Sequence, residues 1–270
     1  MQISAVIIAF NEETDIADAI NSVAWADEIL VVDSESTDRT REIAESLGAK
    51  VLVQPWMGFS AQKQFATDAA SFDWILSLDA DERVSTALRD ELAVLKGTAP
   101  NADGYTIPRL SIYLGREIRH GGWYPDRQLR LFDRRKGRWN SRIIHESFSL
   151  EPGAVSGKLK TDLLHLSVKN VEHHARMIAD RYAPLSARQS YEDGNRTYLF
   201  MAVFAGWVAF LRAYILRLGL LDGRQGYTIA YFAMHNARMK HLIMLEMQAK
   251  DRSPATTKLD PPSSYNRYPE

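Results

Sequence analysis

Along the first hundred residues, apolar and polar positions come in alternating blocks. Ile3 to Phe10 (ISAVIIAF) is a continuous apolar run, the pattern of a strand covered on both faces. Residues 12–24 then place Ile16, Ala19, Ile20 and Val23 on one helical stripe. Ile29 to Val32 is a second apolar run ending at Asp33. Thr37 or Asp38 caps a helix through Leu47, with Gly48 as its stop. A short strand at Val51–Val53, a helix around Ala61–Ala70 and a strand at Trp74–Leu78 complete the series. Four rounds of strand and helix with short links predict an α/β fold, a parallel sheet with helices on both faces. Ligands in such sheets bind beyond the carboxyl ends of the strands.

The rest of the chain is less regular. Residues 84–97 read as a helix, and 104–150, rich in Gly, Arg and aromatics, as loops and short strands. Residues 170–192 and 227–249 read as helices, and 197–221 is mostly apolar. The tail from Asp251 carries Pro254, Pro261 and Pro262 and is expected to be disordered.

With 270 residues, 46% hydrophobic and 25% charged, the chain can build a full core. The absence of cysteine excludes disulfides and thiolate metal sites. Met1–Phe10 lacks a basic lead and a small-residue cleavage site, so it is expected to be a buried strand and not a signal peptide. Charge is uneven. Residues 1–100 hold 7 Lys+Arg against 18 Asp+Glu, whereas the remainder holds 26 against 16. The basic part suits phosphates or an anionic membrane surface. No basic run or nucleic-acid motif points to a nucleic acid polymer as partner.

Polar clusters fall at the expected strand ends: Asn11-Glu12, Asp33, and the Asp79-Ala80-Asp81 turn. Asp79, Asp81 and Glu82 crowd three carboxylates into four positions at the mouth of a buried strand. Asp-x-Asp alone is weak, since a helix cap or solvated loop explains it equally. At this place it suits a hard cation, Mg²⁺ or Mn²⁺, that would relieve the repulsion and bridge to a diphosphate. Asp33 fits a turn-former or an acceptor for a base N–H or ribose hydroxyl. No GxGxxG follows the first strand and no GxxxxGK[ST] occurs, so neither an ordinary dinucleotide site nor a P-loop is expected.

Taken in order, VIIAFNEE, ADEILVVDSESTDRT, GFSAQKQFA, WILSLDADERV, HGGWYPDRQLRLF and HES resemble the inverting glycosyltransferases of family 2, with most likeness to the lipopolysaccharide core β-1,4-glucosyltransferase branch. The resemblance covers roughly residues 1–225 and implies a GT-A fold, a nucleotide-binding αβα sandwich with a mainly parallel sheet plus a helical C-terminal region. Residues 1–100 would be the nucleotide-sugar-binding half, 101–165 the acceptor-binding and catalytic half, 166–250 a helical membrane-associating region and 251–270 the tail. The donor would meet Ala9, Asn11, Glu12, Asp33, Gln62, Lys63, Asp79, Ala80 and Asp81. Two positions depart from the family pattern: Glu35 stands where members usually carry Gly, and Gln64 where they often carry Asn.

Inversion needs a base opposite the leaving nucleotide, and the resemblance puts Asp126 there, although a loop carboxylate is the plain alternative. Trp123, Tyr124, Gln128, Arg130 and Glu146 are expected at the acceptor, with the two aromatics equally suited to core packing. Arg127, Arg130 and Arg134 are candidates for phosphate contacts. The cation would take Asp81 and, by analogy with related enzymes, His145. The His173-His174 pair is read as surface. Between Arg196 and Arg212 lie fifteen uncharged residues, fewer than the roughly 20 that span a bilayer. A core helix and an interfacial helix both fit, and the basic balance favours the latter, on the cytoplasmic face of the inner membrane.

The function expected is metal-dependent, inverting transfer of a hexose, glucose first, from a UDP-sugar to a sugar of a bacterial envelope glycolipid such as lipopolysaccharide core. Alternatives are another acceptor (a polyprenyl-linked glycan, an oligosaccharide or a protein), a nucleotidyltransferase, or a non-catalytic scaffold.

Overall fold

A computed structural model describes residues 1–140 and 146–252. The described residues divide into two compact units, one of residues 1–110, 126–140 and 146–165, the other of residues 111–125 and 166–252. Residues 111–125, expected within the catalytic half, therefore belong to the second unit.

The first unit opens with β1 (Ile3–Ala9), α1 (Ile16–Ser22), β2 (Glu28–Asp33), α2 (Thr40–Ser46), β3 (Lys50–Val53), α3 (Phe59–Ala69) and β4 (Trp74–Asp79). The predicted alternation is present, with helix ends shifted by a few residues. β5 (Glu82–Val84), α4 (Thr86–Lys96), β6 (Gly104–Tyr113), β7 (Arg116–Glu117), β8 (Asp126–Asp133), β9 (Gly137–Trp139), β10 (Phe148–Leu150), β11 (Ser156–Lys158) and β12 (Leu163–Val168) follow. The sheet order is β3-β2-β1-β4-β8-β6-β12-β5. Its first four strands are parallel and β8 runs antiparallel to both β4 and β6.

Every residue of β1 is buried. Because side chains alternate across a strand, Ile3, Ala5 and Ile7 pack against Ile16 and Ile20 of α1 and Leu88 and Leu92 of α4. Val6 and Ile8 pack on the other face with Ala66 of α3, Phe132, Trp139 and Phe148. This is the αβα sandwich, and double-sided burial is why β1 reads as an unbroken apolar run. The ten-residue β6 is one long strand where loops and short strands were expected, and the short β5 lies where no element was expected. Gly104 and Pro108 interrupt the strand pattern of β6, and β5 reads Glu-Arg-Val directly after the acidic turn.

The second unit holds β7, hairpinned on the end of β6, and a helical run: α5 (Val171–Arg176), a π-helical stretch Met177–Tyr182, α6 (Ala183–Glu192), α7 (Leu199–Leu211), a π-helical stretch Arg212–Leu216, a 3₁₀ turn Gly219–Asp222 and α8 (Gly223–Arg252). The reading of α7 as a core helix is overturned. The 18-residue apolar segment Leu199–Leu216 is only 17% buried. Of the tail expected from Asp251, residues 253–270 lie outside the described residues.

His174 is not on the surface as expected. Its Nδ1 lies 2.8 Å from the Tyr113 hydroxyl and its ring packs on Phe232 of α8, a contact that a local reading of the His-His pair does not reveal. Burial, helped by the neighbouring His173, pushes the imidazole from 6.5 down to about 4. The fold thus holds it neutral, while an unfolded chain takes up a proton below pH 6.5. Stability from this residue is complete above pH 6.5 and is lost as pH falls towards 4. In urea titrations, His174→Gln is expected to flatten the pH dependence over that interval.

Candidate active site

The carboxyl ends of three adjacent parallel strands lie level. Ala9 of β1 pairs with Asp33 of β2, and Ile8 with Asp79 of β4. The loops that leave β1 and β2 are tied together. Asn11, at φ +54°, donates its backbone N–H to Ser36 Oγ and accepts from the Thr37 N–H at 2.8 Å, while Glu12 N–H donates to Thr40 Oγ1. Glu35 sits at φ +61°, a left-handed conformation that glycine adopts without strain.

Asp33 is fully buried. Its Oδ2 accepts from the Ser36 N–H at 2.9 Å and faces Arg41, whereas Oδ1 is buried without a partner. Gln62 of α3 donates to Ser34 Oγ and to the Gln54 carbonyl, each at 3.1 Å, and its Oε1 is likewise buried and unpaired. Two unsatisfied acceptors thus flank Ser34. Buried polar groups are rarely left so, and the pair suits a ligand that brings N–H or O–H donors.

The acids of the Asp-x-Asp turn are not left facing one another. Asp79 forms ion pairs with Lys63 of α3 and Arg130 of β8, both at 2.8 Å. Its backbone N–H donates to Glu82 Oε2. Burial alone would raise the Asp79 carboxyl, but Lys63 and Arg130 more than offset it and hold it well below the usual carboxylate range. Fully buried Glu82 takes Arg130 at 2.7 Å and Arg109 of β6 at 3.3 Å. Within this cluster, relief of the repulsion therefore comes from protein cations and not solely from an expected metal. Ala80 turns its carbonyl to Arg83. Asp81 stands apart, partly exposed, with Oδ2 3.4 Å from His165 Nε2. The β5–β12 pairing, which sets His165 opposite Glu82, brings this histidine to the turn. A lone His in Leu163-Leu-His-Leu166 gave no sign of it.

Arg130, expected at the acceptor, is instead buried beneath the acids. The β6–β8 register passes from Tyr105↔Leu131 to Thr106↔Leu129, so Arg130 is the extra residue of a β-bulge, a device that re-aims side chains. Asp126 begins β8 opposite Arg109, whose Nε and Nη2 donate to its Oδ2 at 2.9 and 2.6 Å. Gln128, two residues on and on the same face, donates to Oδ1 at 2.7 Å. Gln128 therefore orients Asp126. Glu146 lies 3.4 Å from Lys63 Nζ. An unbroken run of ion pairs, Asp126–Arg109–Glu82–Arg130–Asp79–Lys63–Glu146, crosses the strand ends.

Other expectations are relocated. Arg127 donates to the Leu159 carbonyl, and Arg134 binds the carbonyls of Thr67, Asp68 and Ala70 at the end of α3, so neither guanidinium is placed as a phosphate ligand. Trp123 and Tyr124 belong to the second unit. Trp123 packs edge-on against Tyr113, and the Arg119 guanidinium lies over the Tyr124 ring. Gln64 accepts from the Trp139 N–H, a role that fixes β9 on α3. His145 lies outside the described residues.

Among the described residues, no group of three His, Asp or Glu is arranged to hold a metal. The charge balance nevertheless suits a cation. Asp79, Glu82, Asp126 and Glu146 meet Lys63, Arg109 and Arg130, and Asp81 adds a further carboxylate, an excess of two negative charges. Asp81 supplies a carboxylate oxygen of the kind Mn²⁺ and Mg²⁺ accept and His165 an imidazole nitrogen that suits Mn²⁺ better than Mg²⁺, and water and diphosphate oxygens ordinarily complete such shells.

The family described as Glycosyl transferase family 2 matches residues 4–151. A lipopolysaccharide core biosynthesis glycosyltransferase, LpsC, of Rhizobium meliloti (strain 1021) is 32% identical over 88% of this chain and 91% of its own. An uncharacterized glycosyltransferase of Rickettsia typhi (strain ATCC VR-144 / Wilmington) is 31% identical over 93% of this chain and 89% of its own. Among solved structures, a glucosyl-3-phosphoglycerate synthase from Mycobacterium tuberculosis, in complex with Mn²⁺, UDP and glucosyl-3-phosphoglycerate, shares 28% identity. That match covers 42% of this chain and 44% of the other, at a TM-score of 0.34.

Proposed function

Because the chain belongs to glycosyltransferase family 2, we propose that it transfers a hexose, with inversion, from a UDP-sugar to a sugar of an envelope glycolipid, lipopolysaccharide core being the favoured acceptor and glucose the favoured sugar. Family membership speaks against the nucleotidyltransferase alternative, and the retained Asp-x-Asp turn and Asp126 speak against a non-catalytic scaffold. The observation that carries the reading is the run of ion pairs that links Asp126 to the Asp-x-Asp turn at the strand ends.

In this reading the unpaired acceptors Asp33 Oδ1 and Gln62 Oε1 receive donor groups of the nucleoside. Asp126, oriented by Arg109 and Gln128, takes the proton of the acceptor hydroxyl as that oxygen bonds to the anomeric carbon. The bond from that carbon to the UDP oxygen breaks on the opposite face. Lys63 stands beside Asp79 to hold the diphosphate end. Asp81, with His165, would hold Mg²⁺ or Mn²⁺, which when bound supplies charge neutralisation at the leaving diphosphate. Acceptor delivery takes place at the cytoplasmic face of the inner membrane.

EDTA is expected to abolish UDP release and Mn²⁺ to restore it. His165→Ala is expected to weaken Mn²⁺ binding, read by titration calorimetry with UDP present, by about 10- to 100-fold. Unchanged Mn²⁺ affinity in that variant together with loss in His145→Ala would move the second ligand to His145.

A further inference from the structure

We propose that α7 seats the second unit on an anionic lipid bilayer by lying in the membrane plane and not across it. This rests on the peripheral-membrane reading above and adds the orientation and the surface that makes the contact.

Phe200, Val203, Phe204, Trp207, Val208 and Leu211 are all exposed. Their spacing places them on one stripe of the helix, which Ile215 continues. The opposite side is small and buried. Ala202 and Gly206 are buried, and Gly206 lies against α8, where an added Cβ would lie 2.6 Å from Arg238 Nε. A contiguous apolar stripe of this length on a water-facing surface marks an interaction site. The partner follows from the surrounding charge. Between Gly194 and Leu245 there are six Lys+Arg and a single acid, Asp222, and that acid is bound to His120. Arg196 precedes the helix, and Arg212 and Arg217 follow it, all exposed. Basic groups at both ends of an apolar stripe match anionic headgroups around an acyl boundary.

Length alone does not set the orientation, since 18 helical residues extend about 27 Å against a hydrocarbon thickness of about 30 Å. Arg238 decides it. Its guanidinium lies 5.6 Å from the Trp207 ring at the middle of α7. If α7 spanned the bilayer, that charge would be carried to the hydrocarbon centre, where charged side chains are expensive. In the plane, α8 stays on the aqueous side and only the stripe is immersed. The segment after α7 also anchors the His120-Gly-Gly-Trp-Tyr-Pro125 loop. Gly121 N–H donates to the Arg217 carbonyl, Arg116 to the Leu221 carbonyl, and His120 pairs with Asp222 at 2.9 Å. Within the second unit, this loop is therefore built on the docking segment.

The test is co-sedimentation of the full chain with vesicles of phosphatidylethanolamine and phosphatidylglycerol, against phosphatidylcholine alone. Binding to the anionic vesicles is expected, weakened by salt and by at least about tenfold in Phe204→Glu/Val208→Glu. Both sites are exposed, so the double variant is expected to melt as wild type. Since the chain has no cysteine, single substitutions Phe200→Cys, Phe204→Cys, Val208→Cys and Leu211→Cys can carry a fluorophore quenched by shallow or deep lipid labels. Equal, shallow depth at all four supports the proposal. A depth that runs through the bilayer centre overturns it, as does absence of vesicle binding, or self-association lost in the double variant without vesicle binding. UDP release towards a water-soluble acceptor, measured on the unaltered protein, tests the transferase reading separately.

Discussion

Asp126→Asn is expected to lower the turnover number for sugar transfer by about 10²- to 10⁴-fold, the range a positioned proton acceptor contributes. The substitution is close to isosteric. The amide oxygen can still accept from Arg109, and Gln128 can present its own oxygen to the new NH₂, so the start of β8 keeps its anchoring. What is lost is the capacity to take a proton. The deficit is therefore expected in turnover, measured as UDP release with saturating donor and acceptor, while UDP affinity in calorimetry stays unchanged. A variant as fast as wild type would remove Asp126 as the base. One that is slow because it no longer binds UDP would make the carboxylate part of the donor-binding network instead.

The extent to which this site was legible in the sequence follows from the range of the interactions involved. β1, β2 and β4 were legible because strands buried on both faces read as apolar runs, and polar residues then mark their carboxyl ends. Asp33, Gln62, Lys63, Asp79 and Asp81 were singled out through those ends and through motif resemblance, and the structure places them near the carboxyl ends of β1, β2 and β4. Arg130 was assigned to the wrong partners because the bulge that re-aims it is a property of the β6–β8 register and not of local pattern. Arg109 and His165 were missed for the same reason. Each reaches its acid by a cross-strand pairing, 17 residues from Asp126 in one case, and neither lies in an unusual local context. His174 appeared solvent-facing because the Phe232 that covers it lies in a helix 58 positions downstream.

The same long-range pairings make Arg130 the residue whose loss should cost the fold most. Arg130→Met keeps the aliphatic stem but removes the guanidinium that Asp79 and Glu82 share. Of their cationic partners, Asp79 then keeps only Lys63 and buried Glu82 only the partly engaged Arg109. Removing one partner of a buried pair leaves uncompensated charge and costs about 3–5 kcal/mol. For a chain of this size, that corresponds to a fall of about 10 °C in Tm. If the cost is stranded charge and not lost packing, neutralising one of the stranded acids must restore stability. Arg130→Met/Glu82→Gln is therefore expected to melt above the single variant, with a coupling of about 0.5–3 kcal/mol. Arg39→Met, which breaks the exposed Arg39–Glu42 pair, is the reference and is expected to leave Tm unchanged. Calorimetric scans of five proteins, the wild type, Arg130→Met, Glu82→Gln, the double variant and Arg39→Met, settle the matter. A double variant that melts no higher than Arg130→Met would show that packing around the bulge, and not the charge network, holds these strand ends together.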